Sequence, residues 1–301
     1  MLKMDVSFFF NYQTEYDEKF RNTFNGLKNC QLRDINFEGF KYVLQLNPMR
    51  IKSSTADITK PLDSSKCFLC KENMPQTQLG LDLNTKFTLF VNPFPIFQRH
   101  FTIVSRQHVN QTIIGNTMIM LELAKVLENL VVFYNSPKAG ASAPFHCHFQ
   151  AGGEDEMPLF YQIENLKKLY TEKSSEGIFK INDGTRRFLV VETKDIFKAD
   201  EILRKILDGV NEIYSTKEPE ANIGIIFKNG FFRVIVLPRE KHRPREYSLE
   251  GDNRILVSPG FADMAGIVPC SLPSDYQKIT KENIQSIMSQ VSIEEEKFSR
   301  L

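Results

Sequence analysis

The run His146-Cys147-His148-Phe149-Gln150 follows the small-residue stretch Ala139-Gly140-Ala141-Ser142-Ala143-Pro144. It holds two of the chain's 5 histidines, two positions apart. On an extended backbone alternate side chains share a face, so His146, His148 and Gln150 can point at one spot. Near neutral pH an imidazole can act as a nucleophile, a proton carrier or a metal ligand. Two such histidines could also be an ordinary core or surface pair, and the rest of the chain has to decide.

Around the run the periodicity alternates between strand and helix. Phe20, Phe24 and Leu27 share one face of a helix expected over 13–27, and residues 40–46 alternate as a strand does. A polar loop is expected at about 52–66. Strands at 87–91 and 101–104 flank the turn Asn92-Pro93-Phe94-Pro95. An amphipathic helix over 118–130 runs into a strand over 130–134. Residues 165–185 are polar and read as a linker. A second strand-helix-strand-strand pattern follows: 188–192, a helix over 199–214, 223–227, the hairpin turn Asn229-Gly230, and 231–237. The two halves suggest a duplicated α+β unit whose second copy lacks the H-x-H-x-Q run.

The 301 residues suit one large domain or two ordinary ones, with 42% hydrophobic and 25% charged residues. A net charge of +1 gives no general attraction to nucleic acid or membrane. The apolar run near Met1 is too short for a secretory core, and no stretch is long enough to span a bilayer. Five cysteines without disulfide-like spacing point to a cytoplasmic protein with reduced thiols.

Cys67-Phe68-Leu69-Cys70 is a CxxC, able to offer two thiolates to one tetrahedral zinc. His146 and either His108 or His100 could complete the set. With His146 on a metal, His148 would be free to attack phosphorus. A backbone carbonyl in the run could fix its tautomer, and Gln150 could donate to a phosphate oxygen. The small residues at 139–143 would let backbone N–H groups approach a phosphate, with Ser142 adding a hydroxyl and Lys138 a charge.

This combination resembles the histidine triad superfamily, and within it the branch of galactose-1-phosphate uridylyltransferases, diadenosine tetraphosphate phosphorylases and GDP-hexose phosphorylases. The stretch from Tyr134 to Ser142 resembles the phosphate loop of the phosphorylases, which implies phosphate contacts for Asn135, Lys138, Gly140 and Ser142. Asn92-Pro93 with Ser105-Arg106-Gln107-His108 resembles the superfamily's segment ending near Pro-Lys-x-His, and Asn47-Pro48-Met49-Arg50 a phosphate-contacting segment. The resemblance implies an α+β fold of antiparallel sheets and packed helices in two HIT-like halves, a catalytic one over 1–168 and a degenerate one over 180–301. It further implies a nucleotidylated His148, assisted by Gln150, and zinc held by Cys67, Cys70, His108 and His146.

Two features depart from the uridylyltransferases: Cys147 stands where they carry proline, and Ser142 lies one residue farther from the first histidine. Gln150 stands where the triad hydrolases have a third histidine, which favours transfer over hydrolysis. Expected partners are a nucleotide or nucleotide sugar and a phosphate or sugar phosphate, with a homodimer as one assembly. The alternatives are a zinc-stabilised nucleotide-binding protein without turnover, and a triad-type hydrolase. Arg239, Lys241, His242 and Arg243 could bind phosphate or form a solvated turn, and 258–266 could line a pocket.

Overall fold

The computed structural model describes residues 6–51, 65–175 and 177–301. Most of the loop expected at about 52–66 lies outside the described residues.

Among the described residues the strands form two sheets. The smaller contains β1 (Gln31–Asn36), β2 (Lys41–Leu46) and β13 (Ile267–Cys270), the last parallel to β2. The larger begins with β3 (Gly80–Asp82), β4 (Phe87–Val91), β5 (His100–Ser105), β6 (Leu130–Asn135) and β7 (His148–Gly153). It continues with β8 (Thr171–Ser175), β9 (Ile178–Asn182), β10 (Arg187–Thr193), β11 (Ala221–Lys228) and β12 (Phe231–Pro238). Its spatial order is β3-β4-β5-β7-β6-β11-β12-β10-β9-β8, with every neighbouring pair antiparallel.

That order is one motif used twice. From one edge it reads β3-β4-β5-β7-β6, and from the other β8-β9-β10-β12-β11. In both copies a helix enters before the innermost strand, Thr117–Val126 between β5 and β6 and Ile196–Tyr214 between β10 and β11. β6 and β11 pair antiparallel, Asn135 opposite Asn222 and Val132 opposite Ile225, so the copies share one sheet.

The strand period of two sends alternate residues to opposite faces. Val132, Tyr134, Cys147 and Phe149 join the two long helices in one core. Val131 and Phe133 face the other way, into a core shared with Tyr42 and Leu44 of β2, Phe261 and the helix Lys281–Val291. His148 and Gln150 alternate with Phe149 and lie on this second side, at a cavity.

Two expectations are corrected. The helix foreseen over 13–27 is two helices, Val6–Tyr16 and Glu18–Lys28. Asp17 separates them, its carboxylate accepting from the N–H groups of Lys19 and Phe20 as an N-cap. The stretch read as a linker holds the end of the helix Ile163–Tyr170 and the paired strands β8 and β9. It is polar because β8 is an exposed sheet edge, where charged residues discourage pairing with other chains.

Candidate active site

His148 starts β7 in the middle of the N-terminal copy, between β5 and β6, and is 3% exposed. Its Nδ1 lies 2.8 Å from the carbonyl oxygen of His146. A carbonyl can only accept, so Nδ1 carries the proton and the Nε2 lone pair is left for the cavity. Burial lowers the His148 pKa to about 4, keeping the ring neutral and nucleophilic. Gln111 fixes the backbone from both sides: its Oε1 accepts from the His148 N–H at 2.8 Å, and its Nε2 donates to the His148 carbonyl at 3.0 Å. Sequence reasoning overlooked Gln111, which lies in an irregular segment far from the motif.

Gln150 Oε1 lies 3.0 Å from His100 Nε2, and His100 Nδ1 accepts from the Ile96 N–H at 3.0 Å. The Ile96 bond makes Nδ1 the acceptor, so Nε2 is the donor, and Gln150 is left with its NH2 group for a ligand. Burial, with the charge of Arg50 adding to it, lowers the His100 pKa to about 3. His100 is therefore a support for Gln150, and the histidine that approaches the cysteines is His108.

Asn135, Gly140, Ser142, Asn92 and Arg50 line the same cavity as His148 and Gln150. Asn135 Oδ1 accepts from Asn222 Nδ2 and from the Phe261 N–H, both at 2.7 Å, which turns its own NH2 group elsewhere. Gly140 has φ +91°, and a Cβ there would lie 2.6 Å from Gly260 Cα and 2.8 Å from the Pro259 carbonyl oxygen. The tight contact between the 139–142 loop and the C-terminal half thus requires glycine on two counts. Asn92 is tied at both ends of its amide, to the Phe94 N–H and to Thr102 Oγ1. Arg50 donates to the Phe94 carbonyl, and its charge favours the ionised form of Asp263, which burial pushes up to about 6. Asp263 lines the cavity together with Ser258, Gly260, Phe261 and Ala262, all in the stretch read as a pocket wall or a plain turn.

Two of the predicted site residues are elsewhere. Lys138 is exposed and absent from the cavity wall, its charge near Glu220. Arg239 is 1% exposed, and its guanidinium is fully engaged. Nε donates to the Val291 carbonyl, Nη1 to Asn222 Oδ1 and the Pro259 carbonyl, and Nη2 to the carbonyls of Lys241 and His242. It is an internal strut with nothing left for a phosphate.

Cys67, Cys70, His108 and His146 bring their ligand atoms within 4.8 Å of one another. Cys67 Sγ is 3.3 Å from His146 Nδ1, and Cys70 Sγ is 3.3 Å from His108 Nδ1 and 3.7 Å from His146 Nδ1. Zinc bonds of ~2.3 Å to sulfur and ~2.05 Å to nitrogen imply a tetrahedral S···N edge of about 3.6 Å. These three S···N separations lie within about 0.3 Å of that edge. His146 Nε2 donates to the Ser105 carbonyl at 2.8 Å, which leaves Nδ1 as the ligating atom, held by the outer hydrogen bond common in zinc sites. The chain can thus hold a metal at a Cys2His2 cluster. Phe68 and Leu69, between the two cysteines, line the cavity.

Residues 9–153 match a family model described as a domain of unknown function (DUF4922), and residues 160–301 match that of the GDPGP1-like C-terminal domain. No curated protein sequence matches the chain. Among solved structures, yeast Ap4A phosphorylase Apa2 in complex with AMP is 13% identical, over 97% of this chain and 99% of that one, with a TM-score of 0.63. The chain shares the fold of that phosphorylase. The same yeast phosphorylase in complex with Ap4A superposes with a TM-score of 0.60, at 11% identity over 92% and 96% of the two chains. An ADP-glucose phosphorylase from Arabidopsis thaliana with bound ADP-glucose matches more loosely, with a TM-score of 0.37 at 14% identity over 88% and 100%. The yeast phosphorylase thus shares the architecture described above. No helix among the described residues is long and apolar enough to cross a membrane.

Proposed function

We propose that the protein is a nucleotidyltransferase or phosphorylase acting on a nucleoside diphosphate sugar or a dinucleoside polyphosphate. His148 Nε2 attacks the α-phosphorus of the donor. A P–N bond forms as the P–O bond to the leaving phosphate group breaks, and the leaving group departs with that electron pair. In the second step a phosphate or sugar phosphate oxygen attacks the same phosphorus, and the P–N bond returns its pair to Nε2. No proton has to move, because Nδ1–H stays on the His146 carbonyl throughout. Gln150, held by His100, donates to a non-bridging oxygen as charge builds, and Asn135 and the 139–142 loop take the other oxygens. Phe68, Leu69, Met74 and Phe90 form an apolar end suited to the nucleobase.

The observation that carries the reading is the His148 tautomer: one nitrogen fixed on a backbone carbonyl, the other turned to the cavity beside Gln150. The fold shared with a phosphorylase bound to AMP and to Ap4A supports the substrate class. Zinc on Cys67, Cys70, His108 and His146 would supply structure alone, since four protein ligands close its coordination shell. Both halves of one chain line the cavity, and a homodimer is the assembly we propose. Five free cysteines suit a cytoplasmic setting.

The test is intact-mass analysis after mixing with GDP-glucose, UDP-glucose and diadenosine tetraphosphate. A nucleoside monophosphate adduct is expected on the wild-type protein and not on His148→Ala. Failure of every donor to label the wild-type protein would overturn the proposal.

A further inference from the structure

The groups around His148 and Gln150 account for the transferred phosphate, but the reaction has a second one: the phosphate that leaves the donor and, later, the phosphate that attacks. Two arginines line the cavity among the described residues. Arg50 is turned to the Phe94 carbonyl and to the charge of Asp263. Arg243 differs. Its Nε donates to Ser258 Oγ at 3.0 Å, and its guanidinium carbon lies 4.0 Å from the centre of the Tyr247 ring. Its two terminal nitrogens have no hydrogen-bond or ion-pair partner among the described residues. The fork is therefore held at its base and stacked on one face, with its donors unused.

The frame around it is rigid. The buried Arg239 binds the carbonyls of Lys241 and His242 on one side and of Pro259 on the other. It thereby clamps the loop that carries Arg243 to the loop that carries Ser258. Its bond to Asn222 continues to Asn135 and to the Ala139 carbonyl, on the phosphate side of His148. One network thus fixes the wall that bears Arg243 relative to the loop that faces the transferred phosphate. A planar guanidinium with free donors, pre-set in this way, matches the geometry of a phosphate group.

We propose that Arg243 and Ser258 form a second phosphate subsite, on the cavity wall supplied by the C-terminal half, for the phosphate group that leaves the donor and then for the one that attacks. The assignment rests on the function proposed above for the order of events, but not for the ligand chemistry. The phosphate could come from inorganic phosphate or from a hexose 1-phosphate.

The experiment titrates inorganic phosphate and glucose 1-phosphate, separately and without nucleotide, onto the wild-type protein, Arg243→Gln, Arg243→Lys and Ser258→Ala, using calorimetry. The wild-type protein is expected to bind at least one of them, and the tighter one identifies the source. Arg243→Gln should weaken that ligand at least tenfold, and Arg243→Lys and Ser258→Ala by smaller factors, with melting temperatures near wild type. Arg243→Gln binding within threefold of wild type, or a wild-type protein that binds neither ligand, would overturn the subsite. Phosphate binding that depends on Arg243 in a protein that no donor labels would support the subsite and sink the enzymatic reading alone.

Discussion

Replacing His100 with asparagine should flatten the acid side of the stability curve. His100 is 1% exposed, packed edge-on against Phe97 and stacked on Phe133. Its Nδ1 accepts the Ile96 N–H, so a proton added there would set two N–H groups against each other. Burial and the nearby Arg50 lower its pKa from 6.5 to about 3. A folded pKa below the unfolded one means stability that is fully present above pH 6.5 and is lost as pH falls toward 3. Each pH unit in that window costs up to about 1.4 kcal/mol, which comes to roughly 2.3 kcal/mol between pH 6.5 and 4.5 because the unfolded histidine is only half protonated at pH 6.5. Glu156 works against this trend. Burial raises its pKa to about 7, so its contribution is largest below 4.5 and fades as pH rises toward 7. The wild-type curve alone therefore mixes both, and the difference between wild type and His100→Asn isolates the histidine. Asparagine can still accept from Ile96 but leaves a void, costing about 2–4 kcal/mol at pH 7. Urea unfolding followed by circular dichroism, at half-unit steps from pH 7 to 4.5, measures both curves. The gap between them should narrow by about 2–3 kcal/mol over that range. A gap that stays constant to within about 0.5 kcal/mol would refute the reasoning, because His100 would then titrate alike in both states.

Other consequences can be checked one variant at a time. Asn135→Asp keeps an acceptor for Asn222 and Phe261 but turns an anionic oxygen toward the phosphate, so nucleoside monophosphate affinity should fall about 10- to 100-fold while the melting temperature changes little. Gly140→Ala forces a side chain into a left-handed backbone and against Gly260, and should cost about 1–3 kcal/mol in chemical denaturation, together with a loss of nucleotide binding. Metal analysis should find one zinc per chain in the wild-type protein and much less in Cys67→Ser. Chelation should also lower nucleotide affinity, because Phe68 and Leu69 reach the cavity from between the two cysteines.

The sequence was most readable where chemistry and periodicity coincide. Strand alternation placed His148 and Gln150 on one face, and both line the cavity, whereas His146, which the same alternation put with them, precedes β7 and turns to the cysteines. A repeated strand-helix-strand pattern foretold the doubled motif. CxxC spacing called for two more ligands, but only the fold distinguishes His108 from His100, since both lie at the ends of the same strand β5 or just beyond it. Arg239 and Arg243 differ by four positions and carry the same charge, yet one is internal and the other lines the cavity. That contrast follows from where the chain turns after β12, which no local pattern records. Gln111 acts on His148 from a distant segment of its own half, and Asn222 and Phe261 act on Asn135 from the other half, so no local pattern records their roles. β8 was missed because an edge strand made of polar residues has the composition of a loop.

The seam between β6 and β11 also governs how the chain can be divided. Every residue of β6 is buried, as are the first six of β11, and each strand covers the hydrogen-bonding edge of the other. The outer edges of the sheet are harmless by comparison: β3 has three residues, and β8 is largely charged or hydroxylated. Splitting the polypeptide near residue 155 would expose the two strands least suited to water, so each fragment produced alone should be sticky and should find its complement when the two are made together. The sheet would then act as a lock between two pieces, and fragment reassembly could report directly on whether the cavity they share has formed.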